Sequence, residues 1–253
     1  MSKRYVPNAL TLGNLLCGCI AVGAAFHHNF QTALLFILFG AVFDFFDGFA
    51  ARLLKAPSPM GVELDSLADC ITFGLAPSAM LFTLFTEVYY PSFMYSPFWF
   101  KVMPFTGFLL AAFSAYRLAK FNIDERQHEG FIGMPTPACA LVWASFIASS
   151  EDYLRSPMMN ALFLLLFVLM FGFLLISEIP MFSLKFKSLD MKDSDNVIRW
   201  GFLVCSVVLI AVCGFMAPEG HVWQYLCRGL AASIGLYVLV NIVRHIPRLY
   251  GKQ

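Results

Sequence analysis

Eight apolar runs, at about residues 8–26, 31–54, 61–86, 97–120, 133–150, 158–180, 198–216 and 223–243, constrain this sequence more than any other feature. A helix crosses the hydrocarbon core of a bilayer with about 20 such residues, and in lipid the backbone must satisfy its own N–H and C=O groups, which favours helices. The chain is 59% hydrophobic and 13% charged, against a charged share of about 25% in soluble domains. The expected fold is an all-α integral membrane protein, a bundle of about eight transmembrane helices. The connections are short, so residues 1–253 read as a single membrane domain.

The basic residues orient the bundle. With both termini placed in the cytoplasm, one side holds Lys3, Arg4, Arg52, Lys55, Arg117, Lys120, Arg126, Lys185, Lys187, Lys192, Arg199, Arg244, Arg248 and Lys252. The other side holds Lys101, Arg155 and Arg228. Lys and Arg concentrate on the cytoplasmic side of membrane proteins, so both termini are expected there. The basic residues form no separate domain, which argues against a nucleic-acid partner and for contact with anionic headgroups. Trp99, Trp200 and Trp223 fall at expected interfaces, as an aromatic belt requires. The seven cysteines lie within spans and read as small packing residues.

Against this background the stretch from residue 44 to 69, DFFDGFAARLLKAPSPMGVELDSLAD, is anomalous, because it carries four aspartates inside two spans. Ionisable residues in a membrane are costly and mark function by default. Asp44, Asp47, Gly48, Ala51 and Arg52 share one stripe of a helix, and Gly61, Asp65 and Asp69 share another. The prolines between them turn the chain back, so two antiparallel helices can bring four carboxylates into one volume near the cytoplasmic interface.

Carboxylates crowded in this way call for a hard cation such as Mg²⁺, Mn²⁺ or Ca²⁺, and Mg²⁺ is commonly held by a few carboxylates together with substrate phosphates. Two such ions about 3.5–4 Å apart form the usual clamp on a phosphoryl group. Gly48, Ala51 and Gly61 leave room for a ligand, and Arg52 offers a planar fork to phosphate oxygens. The site reads as built for a diphosphate.

Asp44-x-x-Asp47-Gly48-x-x-Ala51-Arg52, eight residues, then Gly61-x-x-x-Asp65-x-x-x-Asp69 resembles the signature of the CDP-alcohol phosphatidyltransferase family at every specified position. At about 5% per residue type, eight fixed positions arise by chance in such a chain with odds of roughly one in 10⁸. The resemblance implies a membrane enzyme that displaces CMP from a CDP-linked lipid with an alcohol, using two divalent cations, Mg²⁺ or Mn²⁺. It implies that Asp44, Asp47, Asp65 and Asp69 form the metal site, the first three chiefly as ligands and Asp69 also as the general base. It places Gly48, Ala51, Arg52 and Gly61 in the CDP pocket and suggests cytidine contacts from Asn8 and Thr11. It also suggests a homodimer.

Three further stretches are similar to the phosphatidylserine synthase branch of that family. They are PNALTLGN from Pro7, RLAKFN from Arg117 and FIGMPTP from Phe131. The best-matched part is residues 1–150, the expected catalytic core, with residues 151–253 supplying additional transmembrane helices. This branch implies CDP-diacylglycerol and L-serine as substrates. L-serine carries a carboxylate, so its site should present a cation, and Arg117 and Lys120, with Asn122 beside them, are the acceptor-binding candidates. Lys120 stands where the branch commonly has Arg, which keeps the charge and loses the fork.

The expected location is the cell (cytoplasmic) membrane, with the active site at the cytoplasmic face. Within the family, glycerol phosphate, inositol phosphate or choline acceptors are the alternatives. Outside it, a cation transporter would spread polar residues through several spans, and an isoprenoid-transferring enzyme gives no reason for Gly48, Arg52 and Gly61. Glu178, beside Ser177, reads as a buried carboxylate near the end of span six that caps backbone or joins a polar network.

Overall fold

The computed structural model describes residues 5–55, 58–124, 131–181 and 194–250, with the side chains of 131, 194, 195 and 245–250 excepted. Of the basic residues that orient the sequence, Lys3, Arg4, Arg126, Lys185, Lys187, Lys192 and Lys252 lie outside the described residues, as does most of the loop before residue 194. The helices are α1 (Tyr5–Phe26), α2 (Phe30–Leu53), α3 (Pro59–Asp69), α4 (Ala76–Phe85), α5 (Pro97–Val102), α6 (Leu109–Ile123), α7 (Thr136–Ser149), α8 (Glu151–Leu154), α9 (Ala161–Ile176), α10 (Ser194–Phe215) and α11 (Val222–Tyr250). A π-helical turn, Cys70–Leu75, joins α3 to α4, so Pro59–Phe85 is one continuous helical rod.

Among the described residues, helices occupy all eight expected positions, and six are long and apolar enough to cross a membrane. The fifth and sixth are shorter than the sequence suggests: α7 has 14 residues and α9 has 16. At 1.5 Å per residue these reach about 21 and 24 Å, less than the roughly 30 Å of a bilayer core. Local chemistry sets their ends. Pro135 and Pro137 define the start of α7, where proline fits the first turn. Asn160 caps α9 by accepting from the Leu162 and Phe163 amides. Past Ile176 the chain leaves the helix and forms a two-residue antiparallel pairing, Pro180–Met181 with Phe131–Ile132.

The packing inverts the pattern of a soluble bundle. Helix α1 buries Pro7, Thr11, Asn14, Gly18, Ala21 and Ala25 along one stripe and exposes Leu12, Leu16 and Ile20. Lipid tails are as apolar as leucine, so large side chains gain little by turning inward, whereas small residues let backbones approach. Gly18 and Gly40 show how close: a Cβ on Gly40 would lie 2.5 Å from Thr72 Cγ2, and one on Gly18 would lie 2.8 Å from Thr72 Cα. α1, α2 and the π turn therefore meet at a knot of two glycines and one threonine. The Thr72 hydroxyl closes it by donating to the Asn14 carbonyl at 2.9 Å.

The large apolar core lies beyond this knot, with Trp143 of α7, Phe30 and Ile37 of α2, and Phe73, Met80 and Phe85 along the third span. α7 packs on α2 and α11, α6 packs on the π turn and α9, and α10 packs on α11. At the end of the bundle away from the aspartates, Arg155 binds Glu87 through Nε and Nη2 at 2.8 and 2.6 Å and also reaches Glu151 at 2.6 Å. His28, at φ 58° in the α1–α2 turn, contacts the other oxygen of Glu87. This cluster ties four helix ends together.

Candidate active site

Ser58 starts α3 by accepting a hydrogen bond from the Gly61 amide at 3.0 Å, and Pro59 fits the first helical position. That start sets the phase at which Asp65 and Asp69 leave the helix. α1 packs against both α2 and α3 and faces the acidic stripes of each. Ligand oxygens of Asp44, Asp47 and Asp65 all lie within 4.8 Å of one another. Asp47 is buried, while Asp44 and Asp65 are half-buried.

Helix α1 supplies the polar groups that hold these carboxylates. Thr11 Oγ1 donates to Asp47 Oδ2 at 2.6 Å, and Asn14 Nδ2 donates to Asp69 Oδ1 at 3.0 Å. Asp69 is buried one turn beyond Asp65 and is not part of the set of three, so the described residues separate a cluster of three carboxylates from a fourth with its own donor. The role of Asn14 is not evident from the acidic motif. The available signal is its position three residues after Thr11, on the same stripe of α1.

The residues present fit a divalent cation. The donors are all carboxylate oxygens, the set that suits hard ions. In addition, Asp65 Oδ1 is buried with no hydrogen-bond partner. A buried carboxylate oxygen without a donor is costly unless something cationic meets it.

Beside the cluster lies a cavity of about 160 Å³ whose walls include Asn8, Thr11, Gly48, Ala51 and Gly61. Five of the six residues expected in the CDP pocket thus line one space. Arg52 is exposed at its edge, and its Nη1 would lie 3.7 Å from a Cβ on Gly48. A Cβ on Gly61 would meet Ser58 Oγ at 3.1 Å and Asn8 Oδ1 at 3.5 Å, so glycine there keeps α1 and α3 close.

The acceptor candidates divide. Arg117 is buried on α6, its Nη1 donates to Thr136 Oγ1 at 3.3 Å, and its guanidinium lies 5.1 Å from the centre of the Phe121 ring. It also interacts electrostatically with Asp69, which ties it to the acidic site. Asn122 donates to Ser66 Oγ at 2.8 Å, joining α6 to the residue next to Asp65. Lys120 instead lies 3.7 Å from Glu178. Glu178 is not the buried carboxylate expected from the sequence: its side chain is 70% exposed, because α9 ends at Ile176 and Glu178 sits in the extended segment beyond it.

A membrane bundle that gathers carboxylates, a guanidinium and a small-residue cavity around the start of one helical rod defines a class of intramembrane phosphotransfer proteins. The chain belongs to the CDP-alcohol phosphatidyltransferase family, whose model matches residues 4–211. The match runs past residue 150 into α10. Among its relatives is the CDP-diacylglycerol–serine O-phosphatidyltransferase of Bacillus subtilis, 42% identical over 138 residues, which covers 53% of this chain and 70% of that protein. Proteins of the same name from Mycobacterium bovis and Helicobacter pylori are 29% and 27% identical over 239 and 241 residues. Those alignments cover 90% and 94% of this chain and 78% and 90% of the relatives.

Proposed function

We propose that this chain transfers the phosphatidyl group of CDP-diacylglycerol to the hydroxyl of L-serine and releases CMP. The observation that carries the reading is the convergence of Asp44, Asp47 and Asp65 beside a cavity lined by Gly48, Ala51 and Gly61. Kinship over most of the chain with proteins named for the serine reaction supports the choice of acceptor.

In this reading Asp44, Asp47 and Asp65, with Asp69 alongside, hold two divalent cations, Mg²⁺ or Mn²⁺. When bound, these supply charge neutralisation for the diphosphate and the departing CMP. Asn8, Thr11, Gly48, Ala51 and Gly61 line the nucleotide cavity, and Arg52 meets phosphate oxygens at its edge. The serine oxygen forms a bond to the phosphorus that carries diacylglycerol as the bond from that phosphorus to CMP breaks. Asp69 takes the hydroxyl proton and returns it to solvent, while Asn14 holds the carboxylate in place. Thr11 does the same for Asp47, so α1 positions both acidic stripes.

Arg117, buried beside Thr136 and within electrostatic range of Asp69, binds the serine carboxylate, with Asn122 and Lys120 at the periphery. The positive-inside pattern supports placing both termini and the active site at the cytoplasmic face of the cell membrane, and in this reading the protein works as a homodimer. The part up to residue 150 holds the chemistry, and the helices beyond it complete the bundle.

The test is CMP release by the purified full chain with CDP-diacylglycerol and a panel of alcohols. Release that requires serine and Mg²⁺ or Mn²⁺, stops with a chelator and is lost in Asp69→Asn is the expected result. Release with glycerol 3-phosphate in place of serine would overturn the acceptor assignment, and full turnover by Asp69→Asn would overturn the base.

A further inference from the structure

A second cavity, of about 580 Å³, opens between α7, α9 and α11 at the end of the bundle opposite the aspartates. Its walls are largely aromatic and aliphatic, with Trp143, Phe146, Tyr153, Phe167 and Phe171 among them, and Arg228 at its edge. The size falls within the roughly 300–1,000 Å³ of ligand pockets. The reaction proposed above uses none of these residues.

Arg228 is the seventh residue of α11, so it lies about 9 Å along the axis from the helix start. A cation at such a depth normally extends its head toward water. Here the side chain is exposed but anchored along the helix: Nε donates to the Ser149 carbonyl at 3.0 Å, and the guanidinium lies 4.6 Å from the centre of the Tyr225 ring. Among the described residues no carboxylate pairs with Arg228, and its two terminal nitrogens make no hydrogen bond. The nearby Glu87 and Glu151 are both engaged by Arg155. An anion on Arg228 and an apolar chain in the cavity would complete both halves of the arrangement.

We propose that this cavity binds a phospholipid of the leaflet facing away from the active site, with its phosphodiester on the outer edge of the Arg228 guanidinium and one acyl chain between α7, α9 and α11. A guanidinium fork matches phosphate oxygens. The aromatic walls match a hydrocarbon tail. The occupant fills a gap between the helices after residue 150 and those before it.

Trp143 provides the readout. The full chain in detergent is titrated with phosphatidylglycerol brominated on its acyl chains, and tryptophan quenching is compared with that of Trp143→Phe. Saturable quenching that is absent from Trp143→Phe is expected. Arg228→Gln should weaken it about tenfold, the loss of charge-assisted hydrogen bonds to one group, while Arg228→Lys should weaken it less. Ala232→Phe, which places bulk in the cavity from an exposed position on α11, should abolish it. CMP release at saturating substrate should stay within about twofold of wild type in all four variants, since none touches the aspartate site. Equal quenching in Arg228→Gln and wild type would overturn the proposal. So would competition by millimolar inorganic phosphate, or an Ala232→Cys crosslink between two copies that forms in place of quenching.

Discussion

Gly18→Ala tests whether the knot at Thr72 positions the catalytic aspartate. A Cβ on Gly18 would fall 2.8 Å from Thr72 Cα and 2.9 Å from its backbone nitrogen, closer than real Cβ atoms approach. Backbone cannot swing aside as a flexible side chain can, so α1 and the π turn must separate. Overpacking of this kind costs about 1–3 kcal/mol. Alanine also gains about 0.5–1 kcal/mol over glycine in a helix interior, which would mask part of the loss. Gly23→Ala cancels that term: it lies on the same helix, and a Cβ there meets nothing within 4 Å. At about 2–4 °C per kcal/mol for a chain of this size, Gly18→Ala should melt about 2–12 °C below Gly23→Ala. The π turn begins at the residue after Asp69, and Thr72 bonds to the residue whose amide holds Asp69. A shift approaching 1 Å at a reacting group costs on the order of 10²-fold, so CMP release by Gly18→Ala should fall about 10–100-fold, with Gly23→Ala unchanged. Thermal unfolding in detergent and the CMP assay, run on both variants side by side, decide it. Indistinguishable melting and turnover in the pair would refute the reasoning.

Asn14→Leu keeps the approximate bulk and removes the amide that donates to Asp69; a hydrogen bond to a charged group is worth about 1.5–3 kcal/mol, so kcat should drop about 10–100-fold. Thr11→Val, which removes the donor to Asp47, should instead weaken metal activation, read as a rise of about tenfold in the Mg²⁺ or Mn²⁺ needed for half-maximal rate. Arg117→Lys keeps the charge and loses the fork, so the serine KM should rise about tenfold. Lys120→Ala, which breaks only an ion pair with a 70%-exposed Glu178, should shift the same KM by less than about threefold. Equal effects at Arg117 and Lys120 would return the acceptor site to an undivided basic cluster.

The sequence by itself determined the kind of protein this is. Apolar runs of spanning length leave few options to a backbone without water, and the acidic positions repeat with the period of a helix, so spacing alone puts Asp44 with Asp47 and Asp65 with Asp69 on two stripes. The glycines of the motif were legible for the same reason, because a missing side chain on an acidic face implies a ligand or a close neighbour. Short-range rules also explain the ends of α7 and α9, although hydropathy alone starts both about three residues early and carries the sixth span past Ile176 into the extended segment.

Tertiary structure alone decided which partner each charge meets. Asn14 sits 55 positions from Asp69, and no local rule connects them; the contact exists because Gly18 and Gly40 let α1 and α2 close onto Thr72. Arg117 and Lys120 look equivalent three residues apart, yet the turn of α6 buries the first beside Thr136 and leaves the second to Glu178. Glu178 in turn reads as buried in the sequence because the apolar run before it continues almost to Pro180, whereas the helix stops at Ile176 and the chain pairs with Phe131–Ile132. Periodicity describes one helix at a time. Which stripes face one another depends on how closely the backbones can approach, a property of pairs of helices that only the assembled bundle displays.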